Sequence, residues 1–150
     1  MNRREYLKLS GAALVSFGVS PTPLFSTKSE PEKICFIGDS ITFGGGRGYV
    51  ELMDQYFKKH QLESKPELIN CGKNSETISG LTEEDHPGPR PYLFDRLPGL
   101  LDKFKPQEAY FCYGINCGIY QPFSKERHEA YLKGLHDILE ITGNRGIKTT

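Results

Sequence analysis

The chain has 150 residues, with 19 Lys plus Arg balanced by 19 Asp plus Glu, and this neutrality removes any global electrostatic drive toward nucleic acid or an anionic membrane. Its length suits one domain or part of one, because two halves would each be too small to bury a good core. The four cysteines are too few to staple such a chain, and with no Cys-x-x-Cys pair among them they carry no zinc signature, so neither a metal nor another cofactor is expected.

Residues 1–27 read as an export signal and linker, and 28–32 as further linker. Asn2, Arg3, Arg4, Glu5, Tyr6, Leu7 and Lys8 resemble the twin-arginine export signal, in which paired arginines precede an aromatic or leucine and a weakly apolar core. No charge occurs from Leu9 to Thr27, but Ser10, Gly11, Ser16, Gly18, Ser20, Pro21 and Pro23 interrupt the stretch, which falls short of the roughly 20 strongly apolar residues of a membrane span. The expectation is an exported protein, periplasmic or extracellular, that engages the export machinery, with the leader either removed or kept as an anchor. The competing reading is a disordered tail that carries two arginines by coincidence.

From Lys33 short apolar runs alternate with segments of helical period, the pattern of a parallel sheet flanked by helices. Lys33 to Ile37 is a buried strand that stops at Gly38. Tyr49, Leu52, Met53, Tyr56, Phe57 and His60 recur at helical spacing and predict one apolar face. A second strand covers Glu67 to Asn70. Residues 71–91 read as loop, with Pro87, Pro89 and Pro91 favouring an extended run. Leu93, Leu97, Leu100, Leu101 and Phe104 are helical in period, interrupted at Pro98 and Gly99, with Pro98 opening a second turn-rich helix at its tolerated first position. A third strand covers Ala109 to Tyr113 and ends at Gly114. Ser124 is a candidate N-cap for a long helix whose face is Tyr131, Leu132, Leu135, Ile138, Leu139 and Thr142, stopped by Gly143 and Gly146. Ile147 to Thr150 open a fourth strand. Cys35 and Cys112 are expected as core thiols.

In open parallel sheets ligands gather beyond the carboxyl ends of the strands, and the residues there carry the chemistry. Gly38, Asp39, Ser40, Ile41 and Thr42 follow the first strand, Asn70 to Thr77 the second, and Gly114, Ile115 and Asn116 the third. A serine on a tight strand-to-loop turn exposes its hydroxyl, and acyl transfer needs such a nucleophile beside donors for a developing oxyanion. Asn116 offers a side-chain amide for that purpose. Phosphate binding by the Gly44 to Gly48 loop lacks a Gly-Lys-Ser/Thr, and the nucleophile elbow of the other large hydrolase fold fails because Thr42 stands where its last glycine belongs.

These three blocks in this order resemble the GDSL or SGNH hydrolases over residues 33–150. The resemblance implies a flavodoxin-like three-layer α/β/α sandwich, ester substrates of small-molecule or carbohydrate type, Ser40 as nucleophile, and an oxyanion hole formed by the backbone N–H groups of Ser40 and Ser75 with the Asn116 amide. Two positions depart from the family pattern: Ser75 stands where a glycine is usual, and Cys117 follows Asn116 where Asp is usual. The family's C-terminal Asp-x-x-His, source of the base, occurs nowhere in the chain. Residues 33–150 are therefore expected to be the N-terminal part of an SGNH hydrolase domain, C-terminally incomplete and inactive alone, with the base beyond Thr150. His86 and Arg90 are candidate substrate contacts from the proline-rich loop. Other readings stand beside these: Ser40 as a plain turn serine, Asn116 as a loop cap, Asp39 as the residue fixing the turn, His86 and Arg90 as a solvated loop face, and the whole as a non-catalytic binding module that keeps the pocket.

Overall fold

The computed structural model describes residues 31–62, 65–118 and 122–150; the expected export signal at 1–27 lies outside them. Four parallel strands, β1 (Lys33–Gly38), β2 (Glu67–Gly72), β3 (Glu108–Cys112) and β4 (Lys148–Thr149), form one sheet in the order β2-β1-β3-β4. Between them lie α1 (Ser40–Phe43), α2 (Tyr49–Lys59), α3 (Leu97–Phe104), α4 (Ile115–Gly118) and α5 (Lys125–Gly143), with single 3-10 turns at Gly44–Gly46 and Leu93–Asp95. Among the described residues no helix is long and apolar enough to cross a membrane.

The two-residue period of β1 explains the layering. Cys35 and Ile37 point to one face, into a core with Leu97, Leu101 and Ile138 from α3 and α5. Phe36 points to the other, stacked on Tyr110 at 5.2 Å between ring centroids and edge-on to Tyr49 of α2 at 5.8 Å. Successive side chains of a strand face opposite ways, and right-handed crossovers place α2 on one side of the sheet and α3 and α5 on the other. The result is the expected α/β sandwich, in the strand order of flavodoxin-like sheets. The chain leaves β1 toward β2 on one side and returns to β3 on the other, so the carboxyl ends of β1 and β3 flank the switch point where such sheets hold their ligands.

The helices stand where the periodicity puts them, but two faces are rotated. On α2, Val50 is buried while Leu52 and Tyr56 are exposed; Tyr49 is drawn inward by Phe36 and by a 3.1 Å hydrogen bond between its hydroxyl and that of Thr42. On α5, Gly134, Ile138 and Thr142 are buried and Leu132, Leu135 and Leu139 are exposed. The cause is backbone approach: a Cβ at Gly134 would lie 2.4 Å from the Ile78 carbonyl oxygen, so the glycine, not the leucine row, faces inward. Gly99 does not break α3, which begins with Pro98 in its first turn, where a missing N–H costs nothing. Cys35 is buried as expected, but Cys112 is exposed, because it is the last residue of β3 and sits at the open sheet edge.

Candidate active site

Glycines at the ends of β1 and β2 let the chain cross the sheet edge at close range. A Cβ at Gly38 would lie 2.1 Å from Thr42 Oγ1, and one at Gly72 would lie 2.1 Å from the Phe43 nitrogen, so only glycine admits the one-turn helix α1 there. Asp39, almost fully buried, caps α1 by accepting the Ile41 N–H at 2.9 Å, the usual role of an N-cap carboxylate. Gly44 closes the turn at φ +57°, its N–H on the Ser40 carbonyl. Ser40 thus opens the helix, exposed, with no hydrogen-bond partner for its hydroxyl among the described residues.

Asn70 pins this turn to β2. Its amide nitrogen donates to the Thr42 carbonyl at 2.9 Å and to Glu51 Oε1 at 2.6 Å, and its oxygen accepts the Gly72 N–H at 2.9 Å. The Lys73 N–H donates to the Gly38 carbonyl at 2.8 Å, carrying the second loop over the first. That loop turns at Lys73 to Glu76, closed by a 3.3 Å bond from the Glu76 N–H to the Lys73 carbonyl, and Ser75 within it has φ +63°. This left-handed conformation, which an L side chain rarely adopts, is the physical counterpart of a serine standing where glycine is usual.

Asn116 lies on α4, just after Gly114 at φ +142°. It is buried, and its Nδ2 donates to the Glu76 carbonyl at 3.1 Å, so the third loop is bonded to the residue next to Ser75. Only one of the two amide hydrogens is needed for that bond. The three expected residues therefore sit on loops joined to one another along a single edge of the sheet.

Sequence reasoning missed the group beneath them. The Glu76 side chain is fully buried. Arg96 meets it in a fork, Nε to Oε1 and Nη2 to Oε2 both at 2.6 Å, and Nη2 also donates to the Cys71 carbonyl at 2.8 Å. The Tyr113 hydroxyl donates to Glu76 Oε2. Burial, then the Glu76 charge, pushes the Tyr113 phenol above its ordinary pKa. A carboxylate this enclosed needs a bidentate partner and further donors to offset its lost hydration. Nothing in the sequence signals the pair, since Glu76 lies among Lys73, Asn74, Ser75 and Thr77 and Arg96 follows Asp95.

The two residues expected from the proline-rich loop serve that loop. The buried Arg90 side chain pairs with Glu83 through Nε at 2.5 Å and Nη2 at 2.6 Å, and its Nη1 donates to the Ser75 carbonyl at 3.3 Å. That hydrogen bonding from Arg90 holds the Glu83 carboxyl down to about 2. Arg90 thus reaches the site through Ser75 rather than from a solvated face. His86 Nδ1 lies 2.6 Å from the Gly88 carbonyl oxygen, within its own loop. Beside the Asn116 turn a cavity of about 390 Å³ is bordered by Gly114, Cys117, Phe123, Arg127, His128 and Tyr131.

Solved structures that share this fold include esterases and a GDSL-like lipase. Three are an acetyl xylan esterase (TM-score 0.63, 22% identity, 78% of this chain and 55% of the other), an acetylxylan esterase from Geobacillus stearothermophilus (0.61, 25%, 79% and 57%), and a psychrotrophic esterase from Pseudoalteromonas sp. inhibited by monoethylphosphonate (0.60, 20%, 79% and 57%). The chain spans a little over half the length of each. No protein-family model matches the chain, and no curated protein matches it in sequence.

Proposed function

We propose that this chain carries the nucleophile and oxyanion donors of a serine ester hydrolase acting on small acyl esters, including acetylated carbohydrate. The observation that carries the reading is Ser40, exposed and without a hydrogen-bond partner among the described residues, at the switch point of the sheet. In this reaction Ser40 Oγ bonds to the acyl carbon as its proton passes to a base. The N–H groups of Ser40 and Ser75 and the free hydrogen of Asn116 hold the carbonyl oxygen as it becomes an oxyanion. The ester C–O bond then breaks, the base returns its proton to the leaving alkoxide, and water clears the acyl-enzyme by the same route. The likeness to two acetyl xylan esterases supports the substrate class. The base in this reading is the histidine of an Asp-x-x-His segment, which does not occur in these 150 residues; among the described residues none of His60, His86, His128 and His136 is hydrogen-bonded to Ser40.

The test compares p-nitrophenyl acetate turnover by the 150-residue chain with that of the chain extended through its parental C-terminal sequence. The extended protein turns over at ordinary enzyme rates and loses this in Ser40→Ala, while the 150-residue chain shows background only. Equal background from both, unchanged by Ser40→Ala, would instead favour the non-catalytic binding module. Export through the N-terminal twin-arginine-like segment belongs to the same proposal, and a periplasmic or extracellular location lost on Arg3→Lys with Arg4→Lys is its check.

A further inference from the structure

We infer that Tyr113 is a positioning residue for Asn116, acting with Arg96 through the buried Glu76 carboxylate; this rests on the esterase reading above. Glu76 receives two bonds from one short stretch of the third loop. The Asn116 amide reaches its backbone carbonyl, and the Tyr113 hydroxyl reaches its carboxylate. Tyr113, Gly114, Ile115 and Asn116 thus form a closed ring with Glu76, anchored at both ends. A single bond would leave the amide free to swivel about the Glu76 carbonyl; the second removes that freedom. Arg96 fixes the remaining partner, because its fork holds both carboxylate oxygens while Nη2 ties the group to Cys71 at the end of β2. Tyr131 adds a hydrogen bond from its hydroxyl to the Tyr113 carbonyl at 3.2 Å. A buried ion pair is a poor source of net stability, since desolvation offsets most of the attraction, and it is well suited to setting geometry. One amide hydrogen is consumed by the Glu76 carbonyl so that the other holds a fixed direction, the preorganisation that makes oxyanion donors effective.

The experiment measures the rate at which a fluorophosphonate labels Ser40 in the 150-residue chain, by intact mass, for wild type, Tyr113→Phe, Asn116→Ala and the double variant. Attack on phosphorus develops an oxyanion that uses the same donors and, driven by alkaline buffer, does not require the histidine. Tyr113→Phe slows labelling about tenfold, the size of one lost charge-assisted hydrogen bond, and adds no further slowing in the Asn116→Ala background. Equal slowing in both backgrounds, or none in either with only a lower melting temperature, overturns the inference. If Tyr113→Phe fails to fold, Arg96→Lys, which keeps the charge and removes the fork, is read by the same cycle. Failure of the underlying reading looks different: wild type unlabelled at Ser40, or labelled at a rate indifferent to Asn116→Ala.

Discussion

Asn116 and Glu76 are joined across 3.1 Å by a side-chain amide and a backbone carbonyl in a buried setting, so the third loop is held by the second at the residue beside Ser75. Deleting the Asn116 amide removes the proposed oxyanion donor and leaves the Glu76 carbonyl without its partner. Asn116→Ala is therefore expected to lower kcat of the extended enzyme by about 10² to 10³, or roughly 2.7 to 4 kcal/mol, with KM little changed. Steady-state kinetics on p-nitrophenyl acetate check this, and an unchanged kcat contradicts the oxyanion role.

The donor proposed at Ser75 is its backbone N–H, for which the side chain is dispensable. With φ at +63°, Ser75→Gly relieves a conformation that costs an L residue about 1 to 2 kcal/mol, although the freer unfolded chain gives part of that back. The expected outcome is a small rise or no change in melting temperature and labelling of Ser40 at the wild-type rate. Ser75→Pro removes the donor and is incompatible with positive φ; it is expected to abolish labelling.

Much of this architecture was legible in the residues. Strand runs such as Lys33 to Ile37, the turn residue Asp39, the cap Ser124, and the glycines Gly38 and Gly114 after the first and third strands are local signals, and they locate the sheet edge because chain connectivity in α/β sheets is restricted. The rotated faces of α2 and α5 were not legible. On α5 the inward stripe depends on the backbone approach of Gly134 to Ile78 and on α2 on the contacts of Tyr49 with Phe36 and Thr42, and leucines at perfect helical spacing encode neither. Glu76 and Arg96 were missed for a related reason: twenty residues apart and on different elements, they become a pair only after the second loop and α3 have packed.

The close contacts at glycine give predictions of opposite sign. Gly72→Ala places a Cβ against the backbone of α1, and Gly134→Ala against the backbone at Ile78. Neither neighbour is a flexible side-chain tip, so both variants are expected to lose more than about 2 kcal/mol, toward the high end for single substitutions. At Gly99 in α3 nothing lies within 4 Å of an added Cβ, and Gly99→Ala is expected to stabilise by about 0.4 to 1 kcal/mol. Urea denaturation of the three variants decides the signs.

Glu83 makes stability depend on acid. Its folded pKa, about 2, lies below the ordinary 4.5 because Arg90 hydrogen-bonds the carboxylate. Between those values the unfolded chain binds more protons than the folded one, so this contribution is complete above pH 4.5 and is lost as pH falls toward 2. Melting temperatures at pH 6 and pH 3 are expected to differ less in Glu83→Gln than in wild type, and an equal difference would contradict the pairing.

Everything proposed for this sheet edge turns on Ser40 as its nucleophile. Treating the chain with a fluorophosphonate in alkaline buffer and mapping the adduct by peptide mass spectrometry tests it most directly. One adduct is expected, on Ser40, absent from Ser40→Ala and formed far more slowly in Asn116→Ala. No adduct at Ser40, or one whose rate ignores Asn116, would contradict it.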